Sequence, residues 1–410
     1  MSSSLQFKAL PPLALYVHIP WCAKKCPYCD FNSHEARGAV PEARYVAALI
    51  ADLDRALPEV WGRRVHSVFF GGGTPSLFSA PAIDALLAAA RARLALAPDA
   101  EITLEANPGA IEAGKFRDFR AAGINRISLG IQSFDPRHLK SLGRIHDGRE
   151  ALHAIEMALR HFDNVNLDLM YGLPGQSVDE ARADLEQALA LDPTHLSCYH
   201  LTIEPNTYFH RFPPRLPDDD ATAAMQDAIE ARLAEAGYDH YETSAFAKRM
   251  GASAASHEQR VMDRACRHNL NYWMFGDYLG IGAGAHSKLS VPGRIVRQAR
   301  VRHPDRYLAA SENGDPVEVQ HDVRPDEIPF EFMMNALRLN AGIPVALFEE
   351  RTGLPLTVVL RELEDAERRG WIERDHARVA PTLRGRRFLN DLLLLFLAPK
   401  KQIPDPVTQP

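Results

Sequence analysis

The chain has 410 residues, 46% hydrophobic and 24% charged, with a formal net charge of −6. That length exceeds one ordinary core and calls for a large domain with at least one smaller one. The charge balance offers no basic tract for nucleic acid, and no apolar run approaches the length needed to span a membrane.

The opening MSSSLQFKALPPLALYVHIP has one lysine and no long apolar core, so it does not read as a secretory signal. Residues 1–15 form a short lead into the stretch from Tyr16 to Ser33, YVHIPWCAKKCPYCDFNS. Three of the five cysteines lie there, Cys22, Cys26 and Cys29, spaced C-x3-C-x2-C. Cysteine thiolates hold iron–sulfur clusters, and the cubane [4Fe–4S] form normally takes four. Three thiolates therefore describe a cubane with one iron left open, by the logic that leaves an open position on a catalytic zinc. A structural zinc site wants four N/S ligands in paired short spacings, and no second C-x2-C occurs. A disulfide framework wants a short secreted chain with an even cysteine count. Cysteines gathered on a cluster suit a reducing compartment, so the expected location is cytoplasmic.

Next comes ARYVAALIADLDRAL, apolar at helical spacing. The β-branched and aromatic run VHSVFF then ends in GGGTPSLF, Gly71 to Phe78, before a second helical stretch. Glycines at such a junction let the backbone approach a ligand where side chains would block it. The alternation continues. Ala100 to Pro108 reads as a strand with Glu105 near its end, INRISLGIQSF as a strand ending at Gln132, and VNLDLMYGLPGQ as a strand carrying Asp168. Helices separate them, with Arg144 in the loop after the second, and HLSCYHLTIEPNT adds a further strand. This predicts a parallel sheet with functional groups at the strand C-termini. Glu105, Gln132 and Asp168 all fall there, and a buried carboxylate without a partner is costly. Five or six units are visible, fewer than a closed eight-fold barrel needs.

A small, polar linker (AKRMGASAASHEQRV) leads to CRHNLNYW, Cys266 to Trp273. It offers an imidazole able to ligate haem iron and aromatics able to pack on a flat macrocycle. A lone histidine beside aromatics can equally be a hydrogen-bonded core residue. Cys198, inside an apolar strand, reads as core. In YLGIGAGAHSKL the third glycine of a dinucleotide fingerprint falls too early and no long helix follows, so that fold is rejected. From about residue 322 to 398 the pattern reads helix, turn, helix, short strand pair, final helix, a mostly helical winged-helix-like domain. Arg361, Glu362, Glu364, Asp365, Glu367, Arg368 and Arg369 mix signs on its second helix, unlike a DNA-recognition helix, so a cap or partner-contact role is expected. The tail 399–410 is proline-rich and expected to be disordered.

The C-x3-C-x2-C spacing and GGGTP resemble the radical S-adenosylmethionine (SAM) superfamily. That resemblance implies an α/β fold, a partial (β/α)6 barrel over residues 16–300, with the amino and carboxylate groups of SAM on the open iron. One electron from the cluster then cleaves the sulfonium to a 5′-deoxyadenosyl radical. YVHIPWC, GGGTP, LEANP, LGIQSF, LGRIH, DLMYGLPGQ and LTIEPNT together resemble the oxygen-independent coproporphyrinogen III oxidase group. The resemblance implies SAM contacts at Tyr16, Tyr28, Gly72, Gly73, Thr74, Glu105, Gln132, Arg144 and Asp168, without separating one SAM site from two. YLGIGAGAHSKL would close the barrel edge near that site.

Two departures matter. The oxidases carry a fourth cysteine two residues after the third, where this chain has Phe31, and a longer arm before the motif. Both departures resemble the HemW-type haem chaperones, as does HNxxYW at His268, Asn269, Tyr272 and Trp273. That resemblance implies haem held by these residues, with Cys266 a further candidate as thiolate ligand or vinyl attachment point. It also implies an acceptor protein for the haem, such as a respiratory enzyme, and an electron donor for the cluster. The alternative function is oxidative decarboxylation of coproporphyrinogen III.

Overall fold

The computed structural model describes residues 5–249 and 264–397, and the side chains of all of these except 110–113. The tail 399–410 and most of the predicted linker lie outside the described residues, but Ala247 and Lys248 finish a strand instead of starting a linker.

Six parallel strands form the arc: β1 (Leu13–Ile19), β2 (Arg64–Gly72), β3 (Ala95–Ala106), β4 (Arg126–Gln132), β5 (Val165–Tyr171) and β6 (His195–His200). Helices α1 (Glu42–Val60), α2 (Ala80–Arg93), α3 (Ala110–Ala122), α4 (Gly148–His161) and α5 (Val178–Ala190) connect them. After β6 the chain runs through α6 (Asp219–Glu235) into β7 (Tyr238–Glu242) and β8 (Ala245–Lys248), which pair antiparallel at the β6 edge. The short helix α7 (Arg267–Trp273) follows, and β9 (Asp277–Ile281) then returns parallel to β1 at the other edge. Antiparallel β10 (His286–Val291), β11 (Arg294–Arg300) and β12 (Val317–Asp322) extend that edge, and α8 (Pro304–Asn313) packs on α1. The order among described residues is β12-β11-β10-β9-β1-β2-β3-β4-β5-β6-β8-β7. The sheet thus runs past residue 300, the boundary expected from sequence, to Asp322.

Local signals explain the helix starts. Ser79 caps α2, and Asp147 with Glu150, and Ser177 with Glu180, form capping boxes at α4 and α5. The main core lies between the arc and its helices, built from residues such as Val68, Leu104, Leu129 and Leu167.

The C-terminal unit holds α9 (Ile328–Ala336), α10 (Ala346–Thr352) and α11 (Leu360–Arg368). A three-stranded sheet of β13 (Ile343–Pro344), β15 (Arg378–Pro381) and β14 (Ile372–Arg374), in that order, forms the wing. A second core joins this unit to the barrel through Tyr241, Leu270 and Phe275 against Phe332, Met333 and Phe348. Arg368 of α11 and Arg369 just beyond it pair with Asp365, and Glu367 pairs with Arg374 of the wing.

The β9 edge is locked by a buried ion pair. Asp52 of α1 accepts from Arg300 Nε at 3.3 Å, Tyr307 Oη at 2.9 Å and the Gly282 amide at 3.1 Å. Removing one partner of such a pair leaves a buried charge unanswered. Asp52→Ala is expected to lose about 3–5 kcal/mol of stability by urea unfolding; a loss below about 1 kcal/mol would show that the pair adds little.

Candidate functional site: a barrel with a cofactor mouth and an aromatic floor

At the C-terminal ends of β1–β6 a cavity of about 350 Å³ opens, lined by Cys22, Cys26 and Cys29 together with residues from β2 to β6. The cysteine loop is pinned from several sides. Thr74 N–H donates to Trp21 O at 2.7 Å and Phe209 N–H to Pro27 O at 3.0 Å. The Asn32 amide donates to Ala283 O and Arg302 O, both at 2.9 Å, so the glycine turn after β9 holds this loop. His18 Nε2 binds Asn32 O at 2.9 Å from inside the barrel.

The glycine motif does more than clear space for a ligand. A Cβ on Gly73 would sit 2.5 Å from Trp21 O, and Gly72, at φ +116°, lies against the His18 ring. Both glycines are needed for the motif to pack on the cysteine loop. Gly72 N–H then donates to Glu105 Oε2 at 3.2 Å.

Removal from water, followed by the neighbouring Asp168, raises the Glu105 carboxyl to about 8. Asp168 rises to about 6 through the same loss of solvation, although Asn166 donates to it at 2.8 Å and Ser128 at 3.3 Å. Burial raises the Cys22 thiol too, and Cys29 and Cys26 add to it. Three cysteine sulfurs and two carboxyls converging on one cavity fit a cationic occupant that would favour their ionised forms. Gln132 closes the wall at φ 68°, a conformation that non-glycine residues adopt rarely. Tyr28 lines the cavity, while Tyr16 does not and lies deeper, bonding His18 Nδ1 at 3.1 Å.

Asn107, two residues beyond Glu105 in the LEANP run, was not singled out from sequence. Its Nδ2 donates to Thr74 Oγ1 at 2.8 Å, and its Oδ1 accepts from Arg144 Nη2 at 2.6 Å. Arg144 also donates to Gly130 O at 2.6 Å and approaches Cys26 Sγ at 3.7 Å. The Asn107 carboxamide thereby aims a guanidinium at the Cys26 sulfur. The only sequence signal was a polar residue at a strand end.

The HNxxYW segment sits elsewhere. It forms α7, which packs beneath the arc against the middle of β2 and β3. Glu101 of β3 caps α7, accepting from the Arg267 and His268 amides, both at 3.1 Å, and from Cys266 Sγ at 3.4 Å. Four residues separate Glu101 from Glu105 on one strand, about 13 Å. Ser67 Oγ meets His268 Nδ1 at 3.0 Å, and Nε2, buried, has no hydrogen-bond partner among the described residues. Around the imidazole stand Phe69 (4.8 Å between centroids, stacked), Tyr272 (5.0 Å) and Tyr16 (6.3 Å). Burial, and then the buried Arg126, lower His268 to about 3, so its ring is neutral at physiological pH.

The other expected haem contacts on this segment lie in different surroundings. Asn269 is half-buried on α7, and Trp273 lies under the Arg338 guanidinium at 4.9 Å, against the second core. Cys266 is set back from any ligand role in this conformation. Its thiol is buried, engaged by Glu101, and pushed up to about 12, with loss of water the largest cause; in this conformation it offers no thiolate.

A parallel six-stranded arc with three cysteines after its first strand and glycines after its second defines the radical SAM class. The Radical SAM superfamily profile matches residues 16–188, and the HemN C-terminal domain profile matches residues 323–388. The heme chaperone HemW of Escherichia coli is 50% identical over 95% of this chain and 99% of its own length. HemW of Mycobacterium tuberculosis is 37% identical over 82% of this chain and 84% of its own. A bovine mitochondrial protein, radical S-adenosyl methionine domain-containing protein 1, is 35% identical over 94% and 87%. Among solved structures, the coproporphyrinogen III oxidase HemN of Escherichia coli superposes with a TM-score of 0.78 at 25% identity, covering 94% of this chain and 90% of that one. The chain belongs to the HemW heme chaperone family. Membership of the radical SAM superfamily implies a [4Fe–4S] cluster and SAM. No helix among the described residues is long and apolar enough to cross a membrane.

The raised acids make ligand binding pH-dependent. SAM carries a sulfonium and an amine, so its cationic form should bind more tightly as Asp168 and then Glu105 ionise between about 6 and 8. Without ligand the sign reverses. A carboxyl whose folded pKa exceeds its unfolded value favours folding at low pH, and that contribution fades as pH rises toward 8. SAM affinity by calorimetry should rise from pH 6 to pH 8 in wild type and flatten in Glu105→Gln; an identical slope in both would remove Glu105 from the account. Replacing any of Cys22, Cys26 or Cys29 with alanine should abolish the brown cluster absorbance while preserving the fold. Iron and sulfide retained near wild-type levels would refute those ligands.

Proposed function

We propose that this chain is a haem chaperone on a radical SAM barrel, carrying a [4Fe–4S] cluster and SAM at the mouth and passing haem to an acceptor protein in the cytoplasm. One observation carries the haem site. The His268 imidazole is neutral, held at Nδ1 by Ser67, and leaves Nε2 without a partner among aromatic rings. Metal-ligating histidines share that arrangement, with one nitrogen oriented by a hydrogen bond and the other free to coordinate.

When bound, the cluster and SAM supply one-electron chemistry. The chain's own residues do the rest. Cys22, Cys26 and Cys29 provide thiolates. Glu105 and Asp168 answer the positive charge of SAM, with Gly72, Gly73, Thr74, Gln132, Arg144 and Tyr28 shaping its site and Tyr16 lying beneath it. Ser67 Oγ and His268 Nδ1 share a hydrogen bond; with Nδ1–H as its donor, the Nε2 lone pair would be left for iron. His268 is buried and Phe69 stacks on its ring, so haem iron would reach Nε2 only with α7 displaced from β2. Asn269, Tyr272 and Trp273 would then flank the macrocycle, and Cys266 would become a ligand only if the same movement releases it from Glu101. The acceptor fits a haem-requiring respiratory enzyme, and the cluster needs an external electron donor.

The second reading, coproporphyrinogen III oxidation, is favoured by the close superposition on HemN. Against it, Phe31 replaces the fourth cysteine and lies 61% exposed.

The test is an anaerobic haem titration of the cluster-reconstituted protein, wild type beside His268→Ala. Saturable one-to-one binding, weakened about tenfold or more in the variant with its cluster intact, is expected. Absence of specific binding, together with SAM-dependent conversion of coproporphyrinogen III, would replace the chaperone by the oxidase.

A further inference from the structure

A second cavity, of about 310 Å³, lies beside the mouth and is lined by Lys24, Cys26, Leu77, Lys115, Arg144 and Ile145. Asn107 and Arg144 line both cavities, so the hydrogen-bonded bridge between them forms the partition. Cys26 also lines both, which brings one cluster ligand to the wall of an outer groove that the SAM-binding residues do not fill.

Among the described residues the groove carries three cations, Lys24 and Arg144 on the wall shared with the mouth and Lys115 on the groove alone; its carboxylate there, Glu150, is engaged in capping α4 through the Asp147 amide at 3.0 Å. Lys115 is anchored on the carbonyls of Ser76 and Leu77 at 3.0 and 3.2 Å. Lys24 is exposed and makes no hydrogen bond or ion pair among the described residues. His146, bonded to Ile131 O and lowered to about 4 by burial first and Arg144 second, adds no charge at neutral pH. At the centre Ile145 stands 67% exposed, a bare apolar side chain ringed by cations. Electron-transfer encounters use small interfaces of this kind, steered by charge.

We infer that this groove is the docking surface for an acidic one-electron carrier protein that reduces the cluster held by Cys22, Cys26 and Cys29. The inference rests on the cluster assignment made above. The step moves one electron: the carrier's reduced iron–sulfur or flavin centre loses it, the cluster's oxidised form gains it, and no atom or proton crosses. With SAM seated at the mouth, the electron enters past Cys26, where the Arg144 guanidinium faces the thiolate at 3.7 Å.

The experiment uses the full chain with its cluster reconstituted, mixed anaerobically with a reduced plant-type [2Fe–2S] ferredoxin as the acidic probe, or with dithionite as a small reductant. Cluster bleaching by stopped flow is the readout, and iron and sulfide contents are measured alongside. Ferredoxin-driven reduction should saturate with ferredoxin concentration, slow steeply with added salt, and fall about tenfold or more in Lys24→Glu and in Ile145→Asp. Dithionite-driven reduction and cluster content should stay at wild-type values in both variants. Ferredoxin rates unchanged in both variants, or no saturable ferredoxin-driven reduction of the wild type, would overturn the docking surface while leaving the cluster in place. Failure of the wild type to assemble iron and sulfide would overturn the cluster itself, a separate result.

Discussion

Carboxyls and a thiol buried in one cavity lose the water that would favour their charged forms, and like charges nearby add to that cost. Burial is the larger cause for Glu105, with Asp168 adding to it, and for Cys22, with Cys29 and Cys26 adding to it. The positive charge within the barrel comes from Arg126, buried at the start of β4, and from Arg144 at the rim. Arg126 favours ionisation of Glu105 and Asp168 above it and depresses His268 below, so one guanidinium biases both ends of the barrel. A cationic ligand at the mouth completes the neutralisation. The interior therefore reads as a column of charge left one partner short, with the floor imidazole kept neutral and able to coordinate.

Tyr16 lies between the two ends, bonding His18 beneath the cysteine loop and lying 6.3 Å from the His268 ring, while Phe69 stacks on that ring from the strand that ends in the glycine motif.

Much of this was legible in the sequence, for identifiable reasons. The alternation of β-branched runs and amphipathic helices gave the six-stranded arc because parallel strands buried on both faces leave little choice of residue. Strand-end polar residues such as Glu105 and Asp168 stood out because an apolar run makes a carboxylate conspicuous. Asn107 did not, since an asparagine before proline reads as ordinary turn chemistry, and its bridging role depends on Thr74 and Arg144 meeting it from distant segments. The placement of α7 was also out of reach. Local sequence offers an imidazole among aromatics, but only Glu101 and Ser67, some 170 and 200 residues earlier, put it under the barrel and leave Cys266 capped. The strand at 317–322 was missed because its exposed alternation lies on a sheet edge, where burial imposes no pattern.

The proposed function requires one barrel to carry two separable sites, cysteine thiolates at the mouth and an imidazole at the floor. Its most direct test measures iron–sulfide content and haem affinity side by side in the triple variant Cys22→Ala/Cys26→Ala/Cys29→Ala and in His268→Ala. The account predicts opposite losses: the triple variant lacks the cluster yet binds haem, and His268→Ala keeps the cluster and loses haem affinity. Loss of both properties together in either folded variant would contradict it.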